Sequence, residues 1–315
     1  MPKVSVGLPV WNGERYLSEA IQAILMQDHD DFELLIADNG STDNSYAIAK
    51  TFAEKDPRVR LHRHDENLGA AANFNFVFHN TTGRYFRWAA YDDLIAPNYL
   101  ARCVAALEAD ATGAVLAYTQ TMRIDEAGQE IGVYDHNIRK GGLSPVTRLN
   151  QMIGPGDEAA SLIHMCFPVF GLMRRDVLMN TSLIANMPRS DKLLLVELAL
   201  KGPFIEIPEP LFLRREHDAG SVISAEKAKT QVEVERRLAA WFDPAKGRWY
   251  PATNSRLGAG YLRAALCTPM TTGDRIGVLR VLAGWGRRNG RIIGGELKIL
   301  LRERLKRLVN SGQAS

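Results

Sequence analysis

The stretch "KVSVGLPVWNGERYLSEAIQAILMQDHDDFELLIADNGSTDNS", residues 3 to 45, decides the fold. Its opening "KVSVGLP" (3 to 9) and its later "FELLIAD" (32 to 38) are short β-rich runs bounded by turn formers, the pattern of strands. Between them Leu17, Ala20, Ile21, Ile24 and Leu25 recur at three- and four-residue spacing, which places them on one face of a helix. Two more strands are expected at "RVRLHRH" (58 to 64) and "RYFRWAA" (84 to 90), with a second helical face at Ser45, Ile48, Ala49 and Phe52. Strand, helix, strand, helix in order predicts an α/β domain: a mostly parallel, Rossmann-like central sheet with flanking helices and right-handed crossovers.

Ligands of such a sheet collect at the carboxyl ends of its strands. There the sequence is polar and acidic at each turn: Pro9-Val10-Trp11-Asn12-Gly13-Glu14, Asp38-Asn39-Gly40-Ser41-Thr42-Asp43, Asp65-Glu66-Asn67-Leu68-Gly69 and Asp92-Asp93. Any one of these segments alone is ordinary turn and helix-cap chemistry. Four on one sheet edge bring carboxylates together, where one can accept from a ribose or base and another can hold a hard divalent cation against a diphosphate.

Bulk properties narrow the class. With 315 residues, 46% hydrophobic, the chain can bury a full core. A net charge of +3 is too small to argue for nucleic acid. No apolar run approaches a membrane span, and the first residues enter a strand pattern without a signal-peptide layout, so the cytoplasm is expected. Cys103, Cys166 and Cys267 have no spacing that suggests a disulfide framework or a zinc site.

Downstream, a helix is expected after Pro97, with Leu100, Cys103, Val104 and Leu107 on one side. It is followed by a strand at 113 to 119 and a hairpin turning at Glu126 to Gly128. Residues 138 to 162 read as a Gly- and Pro-rich loop, 168 to 175 as a strand, 191 to 202 as a helix, and 204 to 217 as two extended pieces around Pro208 and Pro210. Beyond residue 222 the pattern is helical, which divides the chain into a domain at 1 to 221 and a helical C-terminal region at 222 to 315.

Taken in order, "VSVGLPVWNGERYLSEAI", "FELLIADNGSTDNS", "NLGAAANFN" and "YDDL" resemble the family 2 glycosyltransferases, whose nucleotide-sugar-binding fold is called GT-A. The resemblance runs over about residues 3 to 221. It implies nucleotide contacts from Pro9, Val10, Asn12, Glu14, Asp38, Ser41, Asn67, Gly69, Asn75, Tyr91, Asp92 and Arg215, with Asp38 facing the base or ribose. It places Asp92 on the position that chelates Mn²⁺ or Mg²⁺ in the family's Asp-x-Asp-Asp motif, whose first acid is here Ala90. His217, in an Arg-x-His segment with Ser221 four residues on, is implied as a second group at the metal or diphosphate. Asp191 matches the family's catalytic acid at the head of a helix, with Ser190 in place of the usual Glu. Phe74 stands where many members carry an Arg. His62 and His64 alternate on a strand without acidic or Cys partners and are expected to be structural.

Near the C-terminus, eight basic residues between Arg287 and Arg307 face only Glu296 and Glu303. Among them Leu297, Leu300, Leu301, Leu305 and Leu308 form a stripe. That stripe suits docking on the domain or a second subunit, or peripheral attachment to an anionic membrane at its inner face. The expected activity is inverting transfer of a sugar from a nucleoside diphosphate, UDP by default, to a hydroxyl of a glycan or lipid-linked acceptor. Two alternatives remain at this point. A nucleotidyltransferase would want a Gly-rich Arg and Lys signature that "PVWNGERY" lacks, and an inactive GT-A scaffold binding glycan or a protein partner is suggested by Ala90 and Ser190.

Overall fold

The computed structural model describes residues 2–134, 144–155, 165–217, 228–246 and 250–312, with side chains as far as residue 305. Strand β1 (Val4–Val10) pairs in parallel with β2 (Phe32–Asp38) on one side and β4 (Tyr85–Trp88) on the other, and β2 pairs in parallel with β3 (Val59–Arg63). Helices α1 (Leu17–Leu25), α2 (Ser45–Lys55) and α3 (Ala70–His79) make the crossovers. The sheet continues through β8 (Leu172–Arg174), β6 (Leu116–Ile124), β9 (Phe204–Arg215) and the two-residue β5 (Leu94–Ile95). Strand β7 (Glu130–Tyr134) returns on β6, giving nine strands among the described residues.

Alternation of side chains explains why both faces are covered. On β2, Leu34 and Ile36 join the core under α1, α2 and α4 (Tyr99–Ala109), while Leu35 and Ala37 face the opposite core. That second core lies against α3, α5 (Pro145–Ile153), α7 (Ser190–Lys201) and the helices of the C-terminal region. Gly7 lets α3 approach β1, since a Cβ there would stand 2.5 Å from Val77 Cγ2. Burial of apolar surface on two sides is what holds a parallel sheet together.

The expected alternation over the first 110 residues is present, and three expectations need correction. Residues 168 to 175 are not one strand: Phe167–Phe170 is a 3-10 turn holding Pro168, and only Leu172–Arg174 pairs, antiparallel to β4 and β6. Within the expected loop at 138 to 162, residues 145–153 form α5, capped by the Ser144 hydroxyl on Val146 N at 3.2 Å, while residues 135–143 and 156–164 lie outside the described residues. The segment 204 to 217 holds one strand, Phe204–Arg215, in place of two separate pieces; only its ladder on β6 is interrupted around the prolines, between 204–207 and 212–215.

After the four-residue α6 (Arg175–Leu178) and α7, the C-terminal region holds α8 (Gln231–Phe242), α9 (Thr253–Cys267) and the long α10 (Thr272–Gly312). The expected boundary at 221/222 falls outside the described residues, as does Ser221. No described helix is long and apolar enough to cross a membrane. None of the three cysteines forms a disulfide among the described residues.

Candidate active site

β1 and β2 end side by side, Val10 opposite Asp38 and Pro9 opposite Ala37, so the loops that follow must meet. Asn12 turns the first loop in a left-handed conformation (φ 50°). Its N–H donates to Ser41 Oγ at 3.0 Å, and its side-chain oxygen accepts from Thr42 N at 2.9 Å. Gly13 N donates to Ser45 Oγ at 2.8 Å and Glu14 N to Asp43 Oδ2 at 3.0 Å, while Glu14 Oε2 accepts from Asn44 N at 2.9 Å. Burial works to raise the Asp43 carboxyl. Hydrogen bonds from the Ser45 hydroxyl and from the Ser45 and Glu14 N–H groups outweigh it and hold Asp43 below the usual carboxylate range. Asn12, Glu14 and Ser41 thus spend their polar atoms on each other's loops.

Asp38 is fully buried, with Arg63 Nε at 3.3 Å from Oδ2. Asn67 Oδ1 accepts from Asn39 Nδ2 at 2.9 Å and from Gly69 N at 2.8 Å. Gly69 has φ 87° and leaves no room for a side chain, since a Cβ would stand 2.4 Å from the Phe242 carbonyl of α8. Asn75 lies apart from these loops: its Nδ2 donates to Ile184 O at 3.0 Å and its Oδ1 accepts from Ile184 N at 3.1 Å.

The second cluster forms where β4 and β9 end. After Trp88 the chain reaches Tyr91, Asp92 and Asp93, and β9 delivers Arg215 and then His217 beside them. Arg215 N donates to Asp93 Oδ1 at 2.9 Å. Its buried guanidinium donates to Asp92 O at 3.0 Å, Glu126 O at 3.0 Å and Glu19 Oε2 at 2.7 Å, and lies 4.5 Å from the Tyr16 ring centre. Arg215 is therefore an internal clamp on the turn bearing Asp92, not a group aimed outward at a diphosphate. His217 Nε2 stands 2.8 Å from Asp92 Oδ2, with side-chain exposures of 2% and 14%. His217 Nδ1 is buried without a hydrogen-bond partner among the described residues.

Burial, and then the neighbouring Asp92 charge, push the Asp93 carboxyl up to about 7. Burial, then Asp92 and Asp93, push the Tyr91 hydroxyl up to about 12. The Tyr91 ring occupies the space where a Cβ on Gly13 would sit, 2.6 Å from Cδ2, so the two clusters touch through it.

These residues fit a divalent cation that arrives with its ligand. Asp92 and His217, hydrogen-bonded at 2.8 Å, are the carboxylate and imidazole that would hold such an ion, which would supply positive charge against a diphosphate. The described residues hold no cluster of three or more His, Cys, Asp or Glu able to bind an ion unaided. Diphosphate oxygens and water would have to fill the other positions.

Asp191 stands elsewhere, in the first turn of α7. Its Oδ1 accepts from Lys192 N at 2.9 Å, and its carboxylate accepts from the Cys166 thiol, which burial raises well above the ordinary range. Sequence reasoning did not single out Tyr16, Glu19 or Asp93 as partners of Arg215 and His217. Tyr16 and Glu19 sit three residues apart at the start of α1, a spacing that puts them on one helix side and was the available signal.

Comparison with known proteins bears on the family and the fold. A family model described as "Glycosyl transferase family 2" matches residues 5–181, more than half of the chain. Over 167 residues the chain is 30% identical to an uncharacterized glycosyltransferase of Rickettsia felis, an alignment covering 52% of this chain and 26% of that protein. The chain therefore spans little more than a quarter of that relative's length. The structure is similar to S. aureus TarS in complex with UDP (TM-score 0.60, 17% identity, 96% of this chain and 77% of that one). It is also similar to a mannosyltransferase of Pyrobaculum calidifontis in complex with GDP-Man and Mn²⁺ (TM-score 0.51, 17% identity, 96% and 87%). At such identities the likeness establishes the fold, GT-A, and the family match adds that the chain belongs to glycosyl transferase family 2.

Proposed function

We propose that this protein is an inverting glycosyltransferase that moves a sugar from a nucleoside diphosphate, UDP by default, to a hydroxyl of a glycan or lipid-linked acceptor, assisted by Mn²⁺ or Mg²⁺. The observation that carries the reading is the carboxylate–imidazole pair of Asp92 and His217, 2.8 Å apart at the carboxyl edge of the sheet. The UDP and GDP-Man complexes of the structural neighbours support it as analogies.

Asp92 and His217 would hold the cation, which when bound neutralises charge on the departing diphosphate. Asp38, buried at the end of β2, would face the ribose or base, and Pro9, Val10 and Tyr91 would wall the nucleoside. Asp191 would take the acceptor proton as the acceptor oxygen bonds the anomeric carbon and the bond to the diphosphate oxygen breaks. The knot of Asn12, Glu14 and Ser41 would serve the nucleotide through loop shape, by its backbone.

We place the enzyme on the cytoplasmic side of a membrane through α10. Leu297, Leu301 and Leu305 are 53%, 59% and 52% exposed, so this stripe is not the docked face. The docked face includes buried Val278 and Glu296. Lys298 and Arg302 flank the exposed leucines, as an anionic lipid surface requires. Flotation with phosphatidylglycerol vesicles should recover the wild type and lose the Leu301→Ser/Leu305→Ser variant. Equal recovery of both would remove the membrane from the account.

The test of the catalytic reading is thermal shift with UDP and GDP, with and without Mn²⁺, beside donor hydrolysis by the wild type and Asp191→Asn. Binding to the folded state raises the melting temperature. A metal-dependent shift in both proteins, with turnover reduced about 10²-fold or more in the variant, is expected. A shift without turnover in the wild type would favour the inactive scaffold. Wild-type turnover in the variant would remove Asp191 as the base.

A further inference from the structure

The segment leading into α7 is gripped from both sides. From the sheet domain, Glu197 accepts from Ser182 N at 2.7 Å and from Ser182 Oγ at 2.6 Å, and Asn75 pairs twice with the Ile184 backbone. From the C-terminal region, Asp243 accepts from Asn186 Nδ2 at 2.7 Å, Arg256 donates to Asn186 O at 3.1 Å, and Glu235 accepts from Arg189 Nη2 at 3.1 Å. Arg189 itself takes a left-handed conformation (φ 60°), uncommon for a side-chain-bearing residue, two positions before Asp191.

Glu235 is a deliberate-looking expense for a helix to carry, because its side chain is only 4% exposed and a buried carboxylate needs partners for both oxygens. Oε1 has Arg189 and Oε2 has the Thr253 hydroxyl at 2.5 Å, at the start of α9. That start is fixed in turn by α10. Glu296 Oε1 accepts from Asn254 N at 2.9 Å and Nδ2 at 3.0 Å, and Oε2 accepts from Ser255 N at 2.7 Å and Oγ at 2.6 Å. Farther along α9, Gly260 brings the helix onto α7, since a Cβ there would stand 2.7 Å from Leu193 Cδ1. The next residue, Tyr261, is buried among the Cys166, Asp191 and Arg189 groups.

We propose that the Arg189–Glu235 pair is a positioning device through which the C-terminal helices set where Asp191 stands for proton transfer. This rests on the reading of Asp191 as the base. Arg189 and Glu235 are positioning residues: Glu235 fixes the guanidinium, the guanidinium holds the left-handed turn, and that turn aims the first turn of α7. The helical region then belongs to the catalytic machinery as a frame, besides any surface it docks on.

The test uses the full chain with Mn²⁺ and UDP-glucose, UDP-galactose and UDP-N-acetylglucosamine, reading kcat, KM and melting temperature together. Glu235→Gln keeps an acceptor for Thr253 and removes the charge that holds Arg189. Arg189→Met removes the other half from a side chain that is 37% exposed, which leaves the buried side intact. Each should lower kcat about tenfold with donor KM within about twofold, the split expected when ground-state binding is untouched. In an Asp191→Asn background, Glu235→Gln should add no further loss, because residues acting through one group are not additive. Full kcat in both variants beside an inactive Asp191→Asn overturns the positioning inference alone. So does a further tenfold loss in the double variant. Wild-type turnover in Asp191→Asn overturns the base assignment and this inference with it.

Discussion

Two polar clusters share the carboxyl edge of the sheet, and they differ in how completely they are satisfied. In the knot after β1 and β2, Asn12, Glu14, Ser41, Asp43 and Ser45 bond loop to loop. In the cluster after β4 and β9, His217 Nδ1 and the Tyr16 hydroxyl are buried without hydrogen-bond partners among the described residues, their rings 5.1 Å apart. Buried polar atoms without partners are costly, and a fold retains them where something else is gained. On the proposed function, the difference separates residues that build the edge from residues that would work at it.

The strongest way to break that separation is Asp92→Asn. The substitution keeps the shape and removes the charge that would face a cation, so Mn²⁺-dependent donor turnover should fall about 10²-fold or more. Loss of activity with an unchanged melting temperature assigns Asp92 to function. Activity within twofold of wild type would return this cluster to scaffolding.

How far the sequence disclosed these two clusters depends on the range of the contacts. The alternation of β1 to β4 with α1 to α3 was legible because apolar periodicity is a local signal, and so was the gathering of acids after each strand. Strand β5 was not legible, since two residues carry no periodicity; it exists because Leu94 and Ile95 lie against Leu213 and Phe212. Nor was the division of labour among the acids. Whether Arg215 faces a diphosphate or Glu19 depends on a contact 196 residues apart, and Asn75 was claimed by Ile184 across 109. Turn chemistry and ligand chemistry use the same residue types, and only three-dimensional neighbours tell them apart.

A second prediction tests the knot directly. Ser45 is fully buried, and its hydroxyl accepts from Gly13 N, so Ser45→Ala leaves a buried N–H without a partner. The expected cost is about 1–2 kcal/mol of stability in urea unfolding. The half-saturating Mn²⁺ concentration for donor turnover should stay within about twofold. A large shift in metal dependence with no loss of stability would mean that the knot, too, belongs to the working cluster.

The smallest effect belongs to His64, at the outer end of the same edge. Its Nε2 stands 3.2 Å from Asn73 Oδ1, and Asn73 Nδ2 donates to Ala37 O at 2.9 Å, so the ring braces α3 against the end of β2. Burial, and then the His62 charge, lower its pKa; the Asn73 hydrogen bond, Asp38 and Asp65 act the other way without cancelling them. The unfolded chain takes up the proton near pH 6.5, and the folded chain resists it until lower pH. Between those values the unfolded state binds more protons, so stability present above about pH 6.5 is lost as the pH falls through it. His64→Gln keeps a donor toward Asn73 and has nothing to titrate. Its melting temperature should fall less than that of the wild type between pH 8 and pH 5.5, by about 1 °C for a site this open to solvent. Parallel curves would show that the ring is solvated well enough to titrate as it does in the unfolded chain, and that bracing at this edge costs the protein nothing in pH range.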